Sequence, residues 1–323
     1  MSARQKRLIL VTGAPRSGTT AIGQMLALGR TVGTLHEPFN QIVGMREVTR
    51  YFEVPGSGEF PELRLDECVA NLRQPRLSLK KNPFPREQGL RRTLKQIGGG
   101  RAMMSYLACR ANPFLTEIIW KDPFACFAAR RLRTVHEIPV VAVARDPFAV
   151  AGSFKRMRWS FDLDDIATRH SALGTGLVAR SLPGWDERST PAINGALLWH
   201  IIHDTLLKWC QRSVPILLVN LDDVLTAPVV AYSRLYLALG LSWTPPIESR
   251  IARHYGRKTA KASPREGRPH DKDRDLASIN LYWRGLLDSK EIEVIDSLNG
   301  RLWTLTRERC LCKAPSQNGT TLS

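Results

Sequence analysis

Residues 8–20 read LILVTGAPRSGTT, an unbroken apolar run that enters a glycine-bounded loop and ends in two hydroxyl residues. A short apolar run with no polar alternation suits a strand buried on both faces, as in parallel sheets covered by helices. The loop almost matches the phosphate-binding pattern G-x-x-x-x-G-K-[ST], in which the lysine reaches the terminal phosphates and the last hydroxyl holds magnesium. Gly13 and Gly18 keep that spacing, but Thr19 stands at the lysine position and Arg16 lies inside the loop. A helix starting at the end of this loop would turn free amides and its positive dipole end toward an anion. The stretch therefore predicts an anion cradle that draws its charge from an arginine instead of the usual lysine.

The rest of the chain repeats the strand-then-helix theme. RLILVTG is a first strand, and GTTAIGQMLALG carries apolar residues at helical spacing with Gly29 as its stop. TEIIWKDP (116–123) and IPVVAVARDP (138–147) are β-rich runs that each end in a charged residue followed by Asp-Pro. Those pairs suit helix starts, because Asp146 can accept from free amides and Pro147 lacks only a donor that would be unpaired anyway. Between them FACFAARRLRTVHE reads as helix; later NGALLWHIIHDTLLKWCQR (194–212) is a long helix, VPILLVNLDDV a strand and PVVAYSRLYLALGL a helix. Alternation of this kind, over 323 residues that are 43% hydrophobic, predicts one α/β domain spanning 1–323 with a central, mostly parallel sheet flanked by helices. Ligands of such sheets sit beyond the carboxyl ends of the strands, where the loop, Lys121 and Arg145 all fall.

Two segments depart from the alternation. About 155–193, from FKRMRWSFDLDD to GWDERSTP, reads as an insertion on the acceptor side, with Trp159 or Trp185 as rings for a sugar or as ordinary packed aromatics. About 254–275 is basic, rich in Gly and Pro and without periodicity, and reads as a mobile loop; about 313–323 reads as a flexible tail.

With those motifs in place, the chain resembles the sulfotransferases that use 3′-phosphoadenosine-5′-phosphosulfate (PAPS), a resemblance that implies a phosphate-loop-like fold. GAPRSGTT is similar to their 5′-phosphosulfate loop, which assigns Gly13, Ala14, Pro15, Arg16, Ser17, Gly18, Thr19 and Thr20 to the donor. VARDPFAVAGSF is similar to their 3′-phosphate motif and assigns Arg145 and Ser153 to that phosphate. WKDPF, the VPILLVNLDDV segment with the helix after it, and YWRGLLDSKEIEVIDSLNGRLW extend the resemblance from about residue 7 to 304. A basic late loop closes over the adenosine in many members, so Arg257 and Lys258 are candidates, although the usual Arg-Lys-Gly spelling is absent. TLHEPFN offers two bases at the end of the second strand: Glu37, the residue type of several carbohydrate-acting members, and His36, the usual type in cytosolic ones. A desolvated carboxylate with a raised pKa would suit that work. Lys121, or Lys81 in LKKNPF, is the cation for the sulfuryl group or the leaving phosphate.

The resemblance implies a transferase that moves a sulfuryl group from PAPS to a hydroxyl or amine of a carbohydrate, glycolipid or small metabolite, leaving adenosine 3′,5′-bisphosphate and requiring no metal. Two other readings stand beside it. An NTP-dependent kinase would share the loop, against which Thr19 counts. A nucleic-acid-binding protein would use the formal net charge of +17, but no module with interleaved basic and aromatic residues accompanies it. The same charge allows peripheral contact with an anionic membrane. No run reaches the ~18 apolar residues of a membrane span, and MSARQKR meets the first strand without a signal-peptide pattern, which predicts a cytoplasmic protein. Six scattered cysteines predict free thiols, and Cys310 and Cys312 lack zinc-ligand spacing.

Overall fold

A computed structural model describes residues 5–81, 100–256 and 281–311 of the chain. Arg257, Lys258, nearly all of the basic 254–275 segment, the 313–323 tail and Cys312 lie outside the described residues.

Five strands, β1 (Arg7–Thr12), β2 (Val32–His36), β3 (Glu117–Lys121), β4 (Val140–Ala144) and β5 (Ile216–Asn220), form one sheet in the order β2-β3-β1-β4-β5. Every pairing is parallel, as the apolar runs predict. Successive side chains point to opposite faces of a strand, so one sheet feeds two cores. Ile9, Val11, Ile119, Val141, Val143 and Val219 pack with Ile22, Tyr232 and Tyr236 on one side. Leu8, Leu10, Ile118, Trp120, Val140, Ala142 and Leu218 pack with Trp199, Ile202 and Phe127 on the other. The register pairs Lys121 with both Val11 and His36, which sets the carboxyl ends of β1, β2 and β3 side by side.

Local chemistry moves some boundaries away from the sequence reading. The helix after the loop is Thr19–Leu26 and ends before Gly29, with Ala27 as its cap. FACFA is a 3-10 helix, Pro123–Ala128, wholly buried and started by Asp122, and only Ala129–Thr134 continues as α-helix. The strand VPILLVNLDDV stops at Asn220, whose side chain accepts from the Asp222 amide and begins the short helix Leu221–Thr226. Asp146 and Pro147 do open a helix, Pro147–Met157, with the Asp146 carboxylate on the Phe148 amide at 2.8 Å.

Of the 155–193 stretch, 155–157 finish the helix Pro147–Met157 and 191–193 open the helix Pro191–Gln211; between them lie one short helix, Leu163–His170, and three single turns. Arg169 from that helix donates to the carbonyls of Phe52 at 2.6 Å and Tyr51 at 2.9 Å, and Asp165 pairs with Arg50. The 49–53 chain is thereby tied to the insertion, which holds Tyr51 beside the sheet edge. Among the described residues, no helix is long and apolar enough to cross a membrane.

Two imidazoles are buried on the larger core side: His170 Nε2 lies 2.6 Å from Thr205 Oγ1, and His203 Nδ1 lies 2.9 Å from the Trp199 carbonyl. Burial pushes each down to about 4. The unfolded histidines titrate near 6.5, so between that value and about 4 the unfolded chain binds protons that the folded chain refuses. Stability is therefore full above that window and declines as pH falls through it. Denaturant unfolding at about pH 7.5 and about pH 5 should give the lower midpoint at about pH 5, and His203→Gln should narrow the gap. An unchanged gap in that variant would contradict a neutral, buried His203.

Candidate active site

The loop leaving β1 is pressed against β4. Gly13 has φ +135°, and a Cβ there would lie 2.3 Å from the Val143 carbonyl oxygen, so only glycine fits. Gly18, at φ +94°, caps the helix Thr19–Leu26 from the left-handed region. Between them the Ser17 amide donates to the Ala14 carbonyl at 3.1 Å, Ala14 and Pro15 are buried, and Arg16 is held at φ +74°. A non-glycine residue in that region costs about 1 kcal/mol or more and persists only where surroundings over-determine it. Thr19 and Thr20 occupy the first turn of the helix, and Ser17 Oγ is buried without a hydrogen-bond partner.

Arg145 follows β4 directly and joins the two predicted donor motifs. Its Nη1 donates to the Arg16 carbonyl at 3.0 Å, while Arg16 Nε donates to Ser153 Oγ at 2.9 Å. Ser153 is fully buried in the middle of Pro147–Met157. Three residues on, on the same helix face, Arg156 keeps Nε, Nη1 and Nη2 buried with no hydrogen-bond partner. Arg145 and Arg156 both approach Tyr282, with guanidinium carbons 6.0 and 5.5 Å from its ring centre. The Tyr282 hydroxyl donates to the Ala149 carbonyl at 3.0 Å, and Trp283 stacks on Phe148 at 4.7 Å. Gly152 makes room for this segment, because a Cβ there would lie 2.8 Å from that of Trp283. Burial holds Arg145 below the usual arginine range, with Arg156 adding to the effect against Tyr282, Asp222 and Asp146. Sequence reasoning assigned Arg145 and Ser153 but missed Arg156 and Tyr282. The spacing of Ser153 and Arg156 was a signal that could have found the arginine.

The second cluster is built on β2 and β3. Glu37 follows β2 at φ +54°; its amide donates to the Lys121 carbonyl at 2.8 Å, and its own carbonyl accepts from the Asn40 amide at 3.1 Å. Lys121 Nζ lies 2.5 Å from Glu37 Oε1, and Asn40 Nδ2 donates to Oε2 at 2.9 Å. His36 Nδ1 is 3.9 Å from Oε1, and His36 Nε2 is buried without a partner. Asp122, fully buried, ties the turn to β3 by accepting from the amides of Phe39 at 2.6 Å and Phe124 at 3.0 Å and from Trp120 Nε1 at 3.1 Å. Among the described lysines, Lys121 is the one at this site. Lys81 is exposed, and Lys80 donates to the carbonyls of Gln41 and Val48.

The charge states differ from the sequence expectation. Burial is the largest single effect and acts to raise the Glu37 carboxyl, but the Lys121 charge, His36 and the Lys121 and Asn40 hydrogen bonds together outweigh it, so the pKa lies below its ordinary value. His36 is pushed down to about 4, first by burial and then by Lys121, and is neutral at physiological pH. Burial does raise two other carboxyls nearby, Asp122, to about 7, and Asp146. Of the two tryptophans, Trp185 is packed in the core, whereas Trp159 lies half-buried beneath Arg16, 5.8 Å from its guanidinium carbon. Tyr51, next to Phe124 and Phe161, faces the same edge. At the carboxyl ends of the strands, one side thus gathers Arg16, Arg145 and Arg156, and the other sets a carboxylate beside a lysine ammonium. Such a pairing suits transfer of an anionic group. Among the described residues no group of His, Cys, Asp and Glu is arranged to hold a metal ion.

Residues 9–245 match the model described as the sulfotransferase family. Among solved structures, the chain resembles the sulfotransferase domain of the Synechococcus PCC 7002 olefin synthase at 13% identity, over 95% of this chain and 96% of that one, with a TM-score of 0.43. It also resembles the sulfotransferase domain from the curacin biosynthetic pathway (15% identity, 91% and 98% covered, TM-score 0.44) and a sulfotransferase from Alicyclobacillus acidocaldarius (10%, 79% and 92%, TM-score 0.36). No curated protein sequence matches it.

An unpartnered buried guanidinium destabilises the ligand-free fold, because its lost hydration is not replaced; the penalty for a buried unsatisfied group is about 1–3 kcal/mol, and more when it is charged. Arg156→Met should therefore raise the melting temperature of the ligand-free chain and at the same time remove most of the stabilisation that added sulfate gives the native sequence. A melting temperature that falls in the variant, with the sulfate response intact, would place Arg156 outside any anion site.

Proposed function

We propose that this chain, which belongs to the sulfotransferase family, transfers a sulfuryl group from PAPS to a hydroxyl or amine of an acceptor. The observation that carries the reading is the convergence of Arg16, Arg145, Ser153 and Arg156, in which Arg156 has no hydrogen-bond partner of its own. The donor bears a phosphosulfate at one end and a 3′-phosphate at the other, and the chain has a cradle for each. Loop amides from Gly13 to Thr20, the orphaned Ser17 hydroxyl and Arg16 suit the phosphosulfate. Arg145, Ser153 and Arg156 suit the 3′-phosphate, which ATP lacks. Arg257 and Lys258 would add to that grip from the late loop.

The chemistry divides among three side chains. Glu37 takes the acceptor's proton as the acceptor oxygen or nitrogen bonds to sulfur. Lys121 offsets negative charge on the sulfuryl oxygens and on the departing phosphate, so that the step needs no metal. His36, neutral beside Glu37, orients the carboxylate. The acceptor is a carbohydrate, glycolipid or small metabolite, and the half-exposed Tyr51, Trp159 and Phe161 offer ring faces for its apolar side. A kinase reading lacks the lysine at position 19, and a nucleic-acid reading has only the net charge in its favour.

Sulfate-labelled PAPS incubated with a panel of sugars, glycolipids and phenols, with magnesium chelated, should give labelled product. Glu37→Gln should lower that turnover by about 10²- to 10⁴-fold, the usual contribution of a general base, and His36→Gln by much less. Loss of turnover in His36→Gln with retention in Glu37→Gln would reverse the assignment of the base. Phosphate transfer from magnesium ATP instead of sulfate transfer would overturn the reading as a whole.

A further inference from the structure

Glu37 is a base with both oxygens engaged. Oε1 is 2.5 Å from Lys121 Nζ and Oε2 accepts from Asn40 at 2.9 Å. Lys121 is 4% exposed, so this ion pair is shielded from water on the cation's side. A carboxylate so paired is stabilised in its charged form and has little affinity for the proton it must take. The cation is the removable partner. Its stem is fixed where the helix Thr19–Leu26 passes over it, a Cβ at Gly23 lying 3.2 Å from the Lys121 Cβ and Cγ. Beyond that point the flexible chain ends in an ammonium with three rotatable donors. Lys121 also stands level with Val11 of β1, one residue before Thr12 and the loop. The residue that carries this ammonium thus stands beside both the Glu37 carboxylate and the strand that leads into the loop.

Resting on the donor assignment above, we propose that Lys121 changes partner on donor binding: its ammonium leaves Glu37 for the phosphosulfate held by the 13–20 loop, and the carboxylate so released becomes the base. The exchange couples the two halves of the site. With the cation withdrawn and an anion nearby, the Glu37 carboxylate gains proton affinity when there is a sulfuryl group to transfer. In the step itself the acceptor's proton passes to Glu37, its oxygen or nitrogen forms a bond to sulfur, and the bond from sulfur to the bridging phosphate oxygen breaks. Adenosine 3′,5′-bisphosphate leaves with the electron pair and with Lys121 against its 5′-phosphate. Donor therefore binds before a productive acceptor, and Lys121 is at once the brake on the base and the cation for the leaving group.

The test is a double-mutant cycle on binding of adenosine 3′,5′-bisphosphate by calorimetry, independent of turnover. If the ligand must draw Lys121 away from Glu37, then Glu37→Gln removes the competitor and tightens binding by about ten-fold, within the usual range of coupling between sites. In a Lys121→Met background the same change should matter less than about two-fold, since no cation is left to compete for. Equal tightening in both backgrounds would mean simple charge repulsion and would overturn the exchange while leaving the donor assignment standing. Failure of the native chain to bind the bisphosphate at all would overturn the donor assignment, and the exchange with it. A crystal structure of the native chain with the bisphosphate supplies a check that needs no variant: the Nζ to Oε1 contact should be broken, and its persistence would contradict the exchange.

Discussion

The constraint on which the site depends is the approach of Gly13 to the Val143 carbonyl, too tight for any side chain on the loop residue. It seats the 13–18 loop against the carboxyl end of β4, which brings Arg145 within hydrogen-bond reach of the Arg16 carbonyl. From there Arg16 reaches Ser153 on the next helix. A bulkier residue at position 13 would lift the loop off β4 and separate two motifs that lie 137 residues apart in the Arg16–Ser153 bond. The parallel sheet supplies the other half of the frame, since the shared level of Val11, Lys121 and His36 sets the Glu37 turn beside the loop.

Electrostatics divides the site unequally. On the β4 side Arg145 and Arg156 approach one tyrosine ring, and the Arg156 guanidinium has no hydrogen bond. On the β2 side each charge has an opposite, Lys121 with Glu37 and Asn40 behind them. A fold tolerates an unpaired buried cation where a ligand completes it, and tolerates left-handed backbone at Arg16 and Glu37 for the same reason. Strain, orphaned donors and a tight ion pair all meet at one sheet edge. At the opposite ends of the strands Arg7 pairs with Glu117, and Glu137 and Ser213, ahead of β4 and β5, also take left-handed backbone.

Much of this was legible in the chain. Apolar runs ending in Asp-Pro located β3, β4 and the helix starts after them, because caps and strand burial are local properties. The Gly13–Gly18 spacing located the loop, and the family resemblance then added Arg145 and Ser153. What was not legible depends on partners distant in sequence. The sign of the Glu37 shift is set by Lys121, 84 residues away, so burial alone suggested the wrong direction. Arg156 looked like one more basic residue of an insertion until Tyr282 closed over it from near the carboxyl end. Asn220 ended β5 early because its side chain had a nearby amide to accept from, a local competition hidden inside an apolar run.

The central claim is that this cradle is built for a nucleotide with a 3′-phosphate. The most direct test is the melting temperature of the native chain with adenosine 3′,5′-bisphosphate, compared with ADP and with ATP plus magnesium at equal concentration. A ligand at about one hundred times its dissociation constant stabilises the fold by about 2.7 kcal/mol, which such a measurement resolves. The account predicts a clear rise with the bisphosphate and little or none with ADP or magnesium ATP. An equal or larger rise with magnesium ATP would contradict it.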